Sequence, residues 1–122
     1  MHSQTTTESD RARPAPRAFL PPADISACAT YRDAVRLAWA CRSNQHLTQR
    51  TLAEACGLYA PHVSEYLNDE PTNRHGKRRL DLPAHAIVAF EAVVGNHAVS
   101  QYLVRLGAMT LMEEVIHHQR HA

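Results

Sequence analysis

The chain lacks any apolar run that could cross a bilayer, and it has few cysteines. No stretch approaches the roughly 18 to 20 consecutive apolar residues that a membrane-spanning helix needs. The opening MHSQTTTESDRARPAPRAF has no apolar core of a signal peptide, so export is not expected. Cys28, Cys41 and Cys56 form no CxxC pair, which argues against a disulfide framework and against a zinc ribbon. We therefore expect a cytoplasmic protein with no membrane partner.

Catalytic and metal-binding motifs are missing as well. There is no glycine-rich phosphate loop, no nucleophile elbow and no HExxH. Cys56 is near His62 in the sequence, but its position at the apolar end of a predicted helix favours a buried thiol over a nucleophile. His117 and His121 are one helical turn apart, yet no fixed further ligand accompanies them. We predict no enzyme, no catalytic residue, no metal site and no cofactor.

Positive charge is concentrated in one segment. The formal net charge is only +1, but residues 71–80 (PTNRHGKRRL) hold four cations and no acid. From Asp81 onward the balance reverses, with four acids against Arg105 and Arg120. This asymmetry indicates one surface that faces nucleic acid and another surface for a different contact.

The pattern along the chain predicts an all-α protein, a compact bundle of five to six short helices. Residues 1–27 hold four of the seven prolines and are interpreted as a disordered tail, whose arginines are either solvated or touch DNA phosphates. Thr30 and Asp33 have the spacing of a capping box, and the helix that they open should end near Ser43-Asn44. Runs of alternating β-branched residues are absent, so no strand is expected.

Four further helices, followed by a short terminal one, are expected after the first. They cover Gln49–Cys56 after the N-cap Thr48, about Ala60–Leu67, a segment from about Asp81 to Gly95, and one that Asn96 caps. Gly107 is expected to interrupt this last one, and Thr110 with Glu113 to open a short terminal helix.

The segment LTQRTLAEACGLYAPHVSEYLN at residues 47–68 resembles the helix-turn-helix of the Cro/C1-type (XRE) phage repressor family. The matching positions are Leu47-Thr48-Gln49, Leu52-Ala53, Gly57-Leu58, Val63-Ser64 and Leu67-Asn68. With flanking helices the likeness covers roughly residues 30–95, and it implies a lambda-repressor-like DNA-binding domain. We divide the chain into the tail 1–27, a DNA-binding domain at 28–95, and C-terminal helices at 96–122 that complete the core and support dimerisation.

The second helix of this motif is the candidate reader of base edges. Val63 and Leu67 face inward by their spacing, and the residues left for the major groove are Ala60, Pro61, His62, Ser64 and Glu65. Ala60 and Pro61 suit a thymine methyl group, while the start of this helix departs from the more polar or basic start usual in the family. In that family, the position of Gln49 commonly bonds a phosphate at a helix N-terminus. The full set of candidate phosphate contacts is Gln49, Arg50, Tyr59, Asn68, Arg74, Lys77, Arg78, Arg79 and Arg42.

The C-terminal helices carry enough apolar side chains for a contact between two copies. The candidate dimer interface is Leu106, Met109, Met112, Val115 and Ile116, although such residues could also complete the core of one copy. The sequence therefore predicts a sequence-specific transcriptional regulator that binds double-stranded DNA as a homodimer, a repressor at an inverted-repeat operator, with its own promoter as one candidate target. The alternatives are an antitoxin-like or replication-associated DNA binder, and a protein-interaction module on the same scaffold.

Overall fold

A computed structural model describes residues 18–121. Over that range the chain is all-α, as expected, with six α-helices and no strand beyond two isolated bridge pairs. The helices are α1 (Pro22–Ser26), α2 (Tyr31–Ala40), α3 (Gln49–Cys56), α4 (Ala60–Tyr66), α5 (Ile87–Val94) and α6 (Ala98–His121). A single 3-10 turn at Ala84–Ala86 precedes α5, so this helix begins later than the expected start near Asp81.

Local capping signals fix the start of α2. The Thr30 hydroxyl accepts a hydrogen bond from the Asp33 amide, and the Asp33 carboxylate accepts one from the Thr30 amide, so the expected capping box is confirmed. The helix ends at Ala40, earlier than the sequence predicts. The reason is that the Ser43 amide donates to the Val94 carbonyl, which draws the chain away from the helix axis.

Two glycines in the left-handed conformation end α3 and α5. Gly57 has a φ of 65° and turns the chain from α3 toward α4, while Gly95 has a φ of 83° and turns it from α5 toward α6. At Gly95 an added Cβ would lie 2.6 Å from the Ser43 hydroxyl oxygen. Both positions therefore depend on glycine for its backbone freedom, and Gly95 also for its lack of a side chain.

Part of the expected tail belongs to the folded domain. Within residues 18–27, α1 buries Ile25, and the Leu20 amide and carbonyl both bond the side chain of Gln101 at 2.9 Å. The boundary predicted at residue 27 is therefore too late, because Pro22 occupies the first turn of α1, where its missing N–H is tolerated. Residues 1–17, including the three tail arginines, lie outside the described range.

The last helix is long and unbroken, so the expected interruption at Gly107 is wrong. Helix α6 has 24 residues, and the Thr110 hydroxyl donates to the Leu106 carbonyl inside the helix instead of capping a new one. A glycine in a helix interior costs about 1 kcal/mol relative to alanine, which a helix of this length tolerates. From residue 103 onward every described residue of α6 is exposed.

One core joins all six helices. Its largest fully buried apolar side chains are Val35, Leu52, Val63, Phe90, Val94 and Val99, and Ile25 of α1 closes one side. Among the described residues, no helix combines the length and apolar content that a membrane crossing requires.

Candidate nucleic-acid interface

The pair α3–α4 presents one exposed helix start and one exposed helix face. Thr48 caps α3 by accepting a hydrogen bond from the Thr51 amide at 3.1 Å, and Gln49 follows as the first, exposed residue of the helix. Helix α4 starts one residue after Tyr59 and turns Val63 and Tyr66 into the core. Because Val63 and Tyr66 are buried, the opposite face of α4 is exposed to solvent.

The exposed face of α4 is more apolar at its start than toward its end. Ala60, Pro61 and His62 are all exposed, and the ring of Tyr59 meets the His62 ring edge-on with centroids 4.9 Å apart. The Ser64 hydroxyl donates to the Pro61 carbonyl at 2.8 Å, so its proton is used within the helix. The hydroxyl oxygen of Ser64 keeps its lone pairs for an outside donor.

Glu65 and Arg79, which the sequence assigns to base and phosphate contacts, are paired with each other. Arg79 Nη1 lies 2.7 Å from Glu65 Oε2, and both side chains are largely shielded from water. The ion pair reduces the repulsion between the Glu65 carboxylate and a nearby phosphate. It also compensates the positive charge of Arg79, so this cation is less available to a phosphate. Neither side chain is free for the role expected of it unless this ion pair opens.

Residues 71–79 fold into a tight loop, here named the basic hairpin. Thr72 and Arg78 form an antiparallel bridge, and the side chain of Asn73 accepts hydrogen bonds from the His75 and Lys77 amides. These bonds present Arg74 and Lys77 at the exposed tip. Arg78 is also exposed and pairs with Asp81 at 3.2 Å, a surface contact that a phosphate can replace at small cost.

A buried arginine, Arg32 of α2, joins the end of α4 to the base of the basic hairpin. Its Nη1 donates to the carbonyls of Glu65, Tyr66 and Asn68 at 2.6, 3.3 and 3.2 Å. Its Nη2 donates to the Leu80 carbonyl at 3.0 Å and to the Asp81 carboxylate at 3.2 Å. One guanidinium therefore satisfies carbonyls that the end of a helix leaves without partners, and it fixes the hairpin beside α4.

Three other candidate phosphate contacts have partners inside the protein. Arg42 packs over the Trp39 ring at 4.1 Å and donates to the Trp39, Gln45 and Leu47 carbonyls, so it acts mainly to close the α2–α3 connection. Arg50 pairs with Glu54 one turn along α3, and the Asn68 side chain accepts from the Glu70 amide. The Arg50 pair is highly exposed and leaves that cation accessible.

Burial shapes the titration of groups near the interface. Desolvation raises the pKa of the Cys56 thiol, which keeps it protonated and disfavours nucleophilic chemistry there. Desolvation also raises the pKa of Tyr66, and burial together with the charges of Asp81 and Glu91 raises the pKa of Tyr31 to about 12. The Tyr31 hydroxyl donates to the Leu82 carbonyl at 2.8 Å.

The sequence assigned no role to Arg32, although its spacing carried a signal. It precedes the buried Val35 by three residues, so it lies on the core-facing side of α2, where an arginine needs several acceptors. The acceptors come from residues more than thirty positions away, beyond the reach of a local pattern.

No protein-family model, curated protein or solved structure matches this chain.

Proposed function

We propose that this protein is a cytoplasmic, sequence-specific transcriptional regulator that binds double-stranded DNA through a helix-turn-helix formed by α3 and α4. The observation that carries the proposal is the basic hairpin fastened beside the exposed face of α4. A helix that faces a major groove gains affinity from neighbouring cations that contact the phosphates on either side. We propose that it acts as a repressor by occluding a promoter.

In this arrangement different residues contact the DNA phosphates and the DNA bases. Arg74, Lys77 and Arg78 approach the phosphates, and Gln49 contributes an amide at the positive end of the α3 dipole. His62 is the polar reader of base edges, while Ala60 and Pro61 contact thymine methyl groups. Glu65 and Arg79 support α4 as a pair.

A second copy of the chain is the proposed partner of the exposed part of α6. At about 100° per residue, one side of this helix carries an apolar stripe that spans about 160°. We define the α6 stripe as Val104, Ala108, Met109, Leu111, Met112, Val115 and Ile116. Leu106, which the sequence placed in the interface, lies about 120° from Met112 around the helix axis and outside the α6 stripe.

The size of the α6 stripe supports a dimer. Its large side chains are each about half exposed or more, with Val104 at 71% and Met112 at 64%. Together they offer on the order of 600 Å² per copy, so pairing two copies buries about 1,200 Å², the lower end of specific interfaces. Two-fold pairing would match two reading helices to an inverted repeat, with half-sites about 34 Å apart.

The DNA proposal is tested by selecting bound duplexes from a random pool and measuring affinity against salt. We expect an enriched inverted repeat. Arg74→Gln should weaken all sequences and reduce the logarithmic salt slope by about 0.9, whereas His62→Ala should change the preferred sequence. Arg120→Gln, near the distal end of α6, is the charge-matched control. Absence of an enriched motif, with binding lost at moderate salt, would refute sequence-specific regulation.

The dimer is tested separately by sedimentation equilibrium without DNA. Met112→Lys, inside the α6 stripe, should shift the protein to monomer. Thr110→Lys adds the same charge on the opposite side of the same helix and should leave the dimer intact. A wild-type protein that stays monomeric at high micromolar concentration would contradict the pairing.

The alternatives keep the same scaffold. An antitoxin-like or replication-associated DNA binder would also select a DNA motif. The genes that lie beside that motif would distinguish it from the proposed repressor. A protein-interaction module would select none, and the exposed Tyr59 beside the Ala60–Pro61 surface is the feature that favours it.

A further inference from the structure

A concave pocket of about 430 Å³ lies on the side of the molecule formed by α1, the segment before it, and the first turns of α6. Its apolar walls include Phe19, Pro22, Ile25 and Val104. The exposed Phe19 ring stacks on His97 with centroids 4.9 Å apart and planes 26° from parallel. Pockets of this volume, with mostly apolar walls and a few polar groups, are typical of small-molecule sites.

The wall formed by the segment before α1 is held in place by hydrogen bonds. The Ala18 amide donates to the Gly95 carbonyl, and the Ala18 carbonyl accepts from the His97 amide, both at 2.9 Å. Gln101 bonds both backbone groups of Leu20. The protein's own hydrogen bonds therefore hold this wall, and a ligand need not supply the free energy to order it.

The side chain of His97, which lines the pocket, is held in place by the buried carboxylate of Glu91. Glu91 accepts from the Ser100 amide and hydroxyl, each at 2.8 Å, and its Oε1 lies 3.3 Å from His97 Nδ1. These contacts use the carboxylate inside the protein and hold the imidazole in the orientation that stacks on Phe19.

The charged group at the pocket is a cation. Arg105 lines the pocket, no carboxylate lines it, and among residues 18–121 no ion pair involves Arg105. A second concavity of about 210 Å³ lies along the other side of α1, and Arg105 and Ile25 line both. Arg105 therefore lies where the two concavities meet.

We propose that this pocket binds a small organic carboxylate with an aromatic or branched apolar body. The apolar part would lie against Phe19, Pro22 and Ile25, and the carboxylate would pair with Arg105, whose planar donors match two oxygens. A cationic ligand would meet Arg105 with like charge, and a neutral one would lose the charge-assisted bond. This site is distinct from the proposed DNA surface.

The test uses 2-naphthoate as probe, with 2-naphthamide as its neutral counterpart, in titrations of the full chain followed by calorimetry and by amide chemical shifts. We expect saturable binding of 2-naphthoate and weaker binding of the amide. Arg105→Gln should weaken the carboxylate about tenfold and leave the amide nearly unchanged. Phe19→Ala should weaken both probes. The Phe19 side chain is exposed, so this variant should fold as the wild type does, which circular dichroism checks.

Two matched controls separate this pocket from other surfaces. Arg120→Gln removes a cation elsewhere on α6, and Met112→Ser removes an apolar side chain from the distal α6 stripe; both should keep wild-type affinity. No saturable binding up to millimolar 2-naphthoate would overturn the proposal. So would an affinity that Arg105→Gln and Phe19→Ala leave unchanged, or one that Met112→Ser abolishes. No DNA is present, so the result is independent of the proposed regulator function.

Discussion

Replacing Arg32 by methionine is the most informative single perturbation of this fold. Methionine fills a similar apolar volume but offers no donor, so the carbonyls of Glu65, Tyr66, Asn68 and Leu80 would lose the partner they share. The Arg32 side chain is only 7% exposed. Losing one partner from a buried network of this kind costs about 3–5 kcal/mol.

That loss is a large fraction of the roughly 5–15 kcal/mol that stabilises a small domain. At about 4–8 °C per kcal/mol, a loss of about 3–5 kcal/mol should lower the midpoint of thermal unfolding by about 12–40 °C. Chemical and thermal unfolding followed by circular dichroism would measure both quantities. Hydrogen exchange should also speed up first in α4, because Arg32 bonds the carbonyls at the end of that helix.

The matched control is Arg36→Met, on the same helix. Arg36 is exposed and donates once, from Nε to the Leu67 carbonyl at 3.3 Å, so its loss should cost less than about 1 kcal/mol. If Arg32→Met costs no more than Arg36→Met, the carbonyls find water or other donors. The view that Arg32 fixes α4 would then be refuted.

Three further predictions address the ion pair, the glycines and the buried tyrosine. A double-mutant cycle with Glu65→Ala and Arg79→Ala, measured by urea unfolding, should give a coupling of about 1–2 kcal/mol; additive effects would show that the pair contributes nothing. Gly95→Ala should destabilise by about 2 kcal/mol, whereas Gly107→Ala should stabilise by about 0.5–1 kcal/mol, and equal effects would contradict the assigned conformations. The pKa of Tyr31 is raised from 10.0 to about 12, so its contribution is fully present below pH 10 and is lost as pH rises toward 12. After a discount for partial exposure it is about 1 kcal/mol, and Tyr31→Phe should remove that pH dependence, as tyrosinate absorbance and unfolding curves can check.

The parts of the fold that sequence reasoning predicted are those set by short-range chemistry. The capping box at Thr30 and Asp33, the cap at Thr48 and the turn at Gly57 each involve residues within a few positions of one another. A hydroxyl or a glycine at such a position has few other uses.

The parts that it missed depend on partners distant in the chain. Helix α1 is held by Gln101, which is 81 residues from Leu20, so composition alone made this segment look like a tail. The Glu65–Arg79 pair was missed because each residue, taken alone, has the pattern of a surface charge. Gly107 suggests a break because the sequence around it does not reveal that the helix continues on both sides.

The direction in which the α6 stripe faces depends on the number of residues in this unbroken helix. About 1.5 Å of rise and 100° of rotation accompany each residue, so one residue inserted at Gly107 would rotate Leu111, Met112 and Val115 by about 100° relative to α1–α5. Seven inserted residues would bring the stripe back to within about 20° of its original direction, about 10 Å farther out. Insertions in this stretch should therefore vary in effect with the helical period. If the α6 stripe pairs two copies as proposed, dimerisation lost after one or two inserted residues should return after seven.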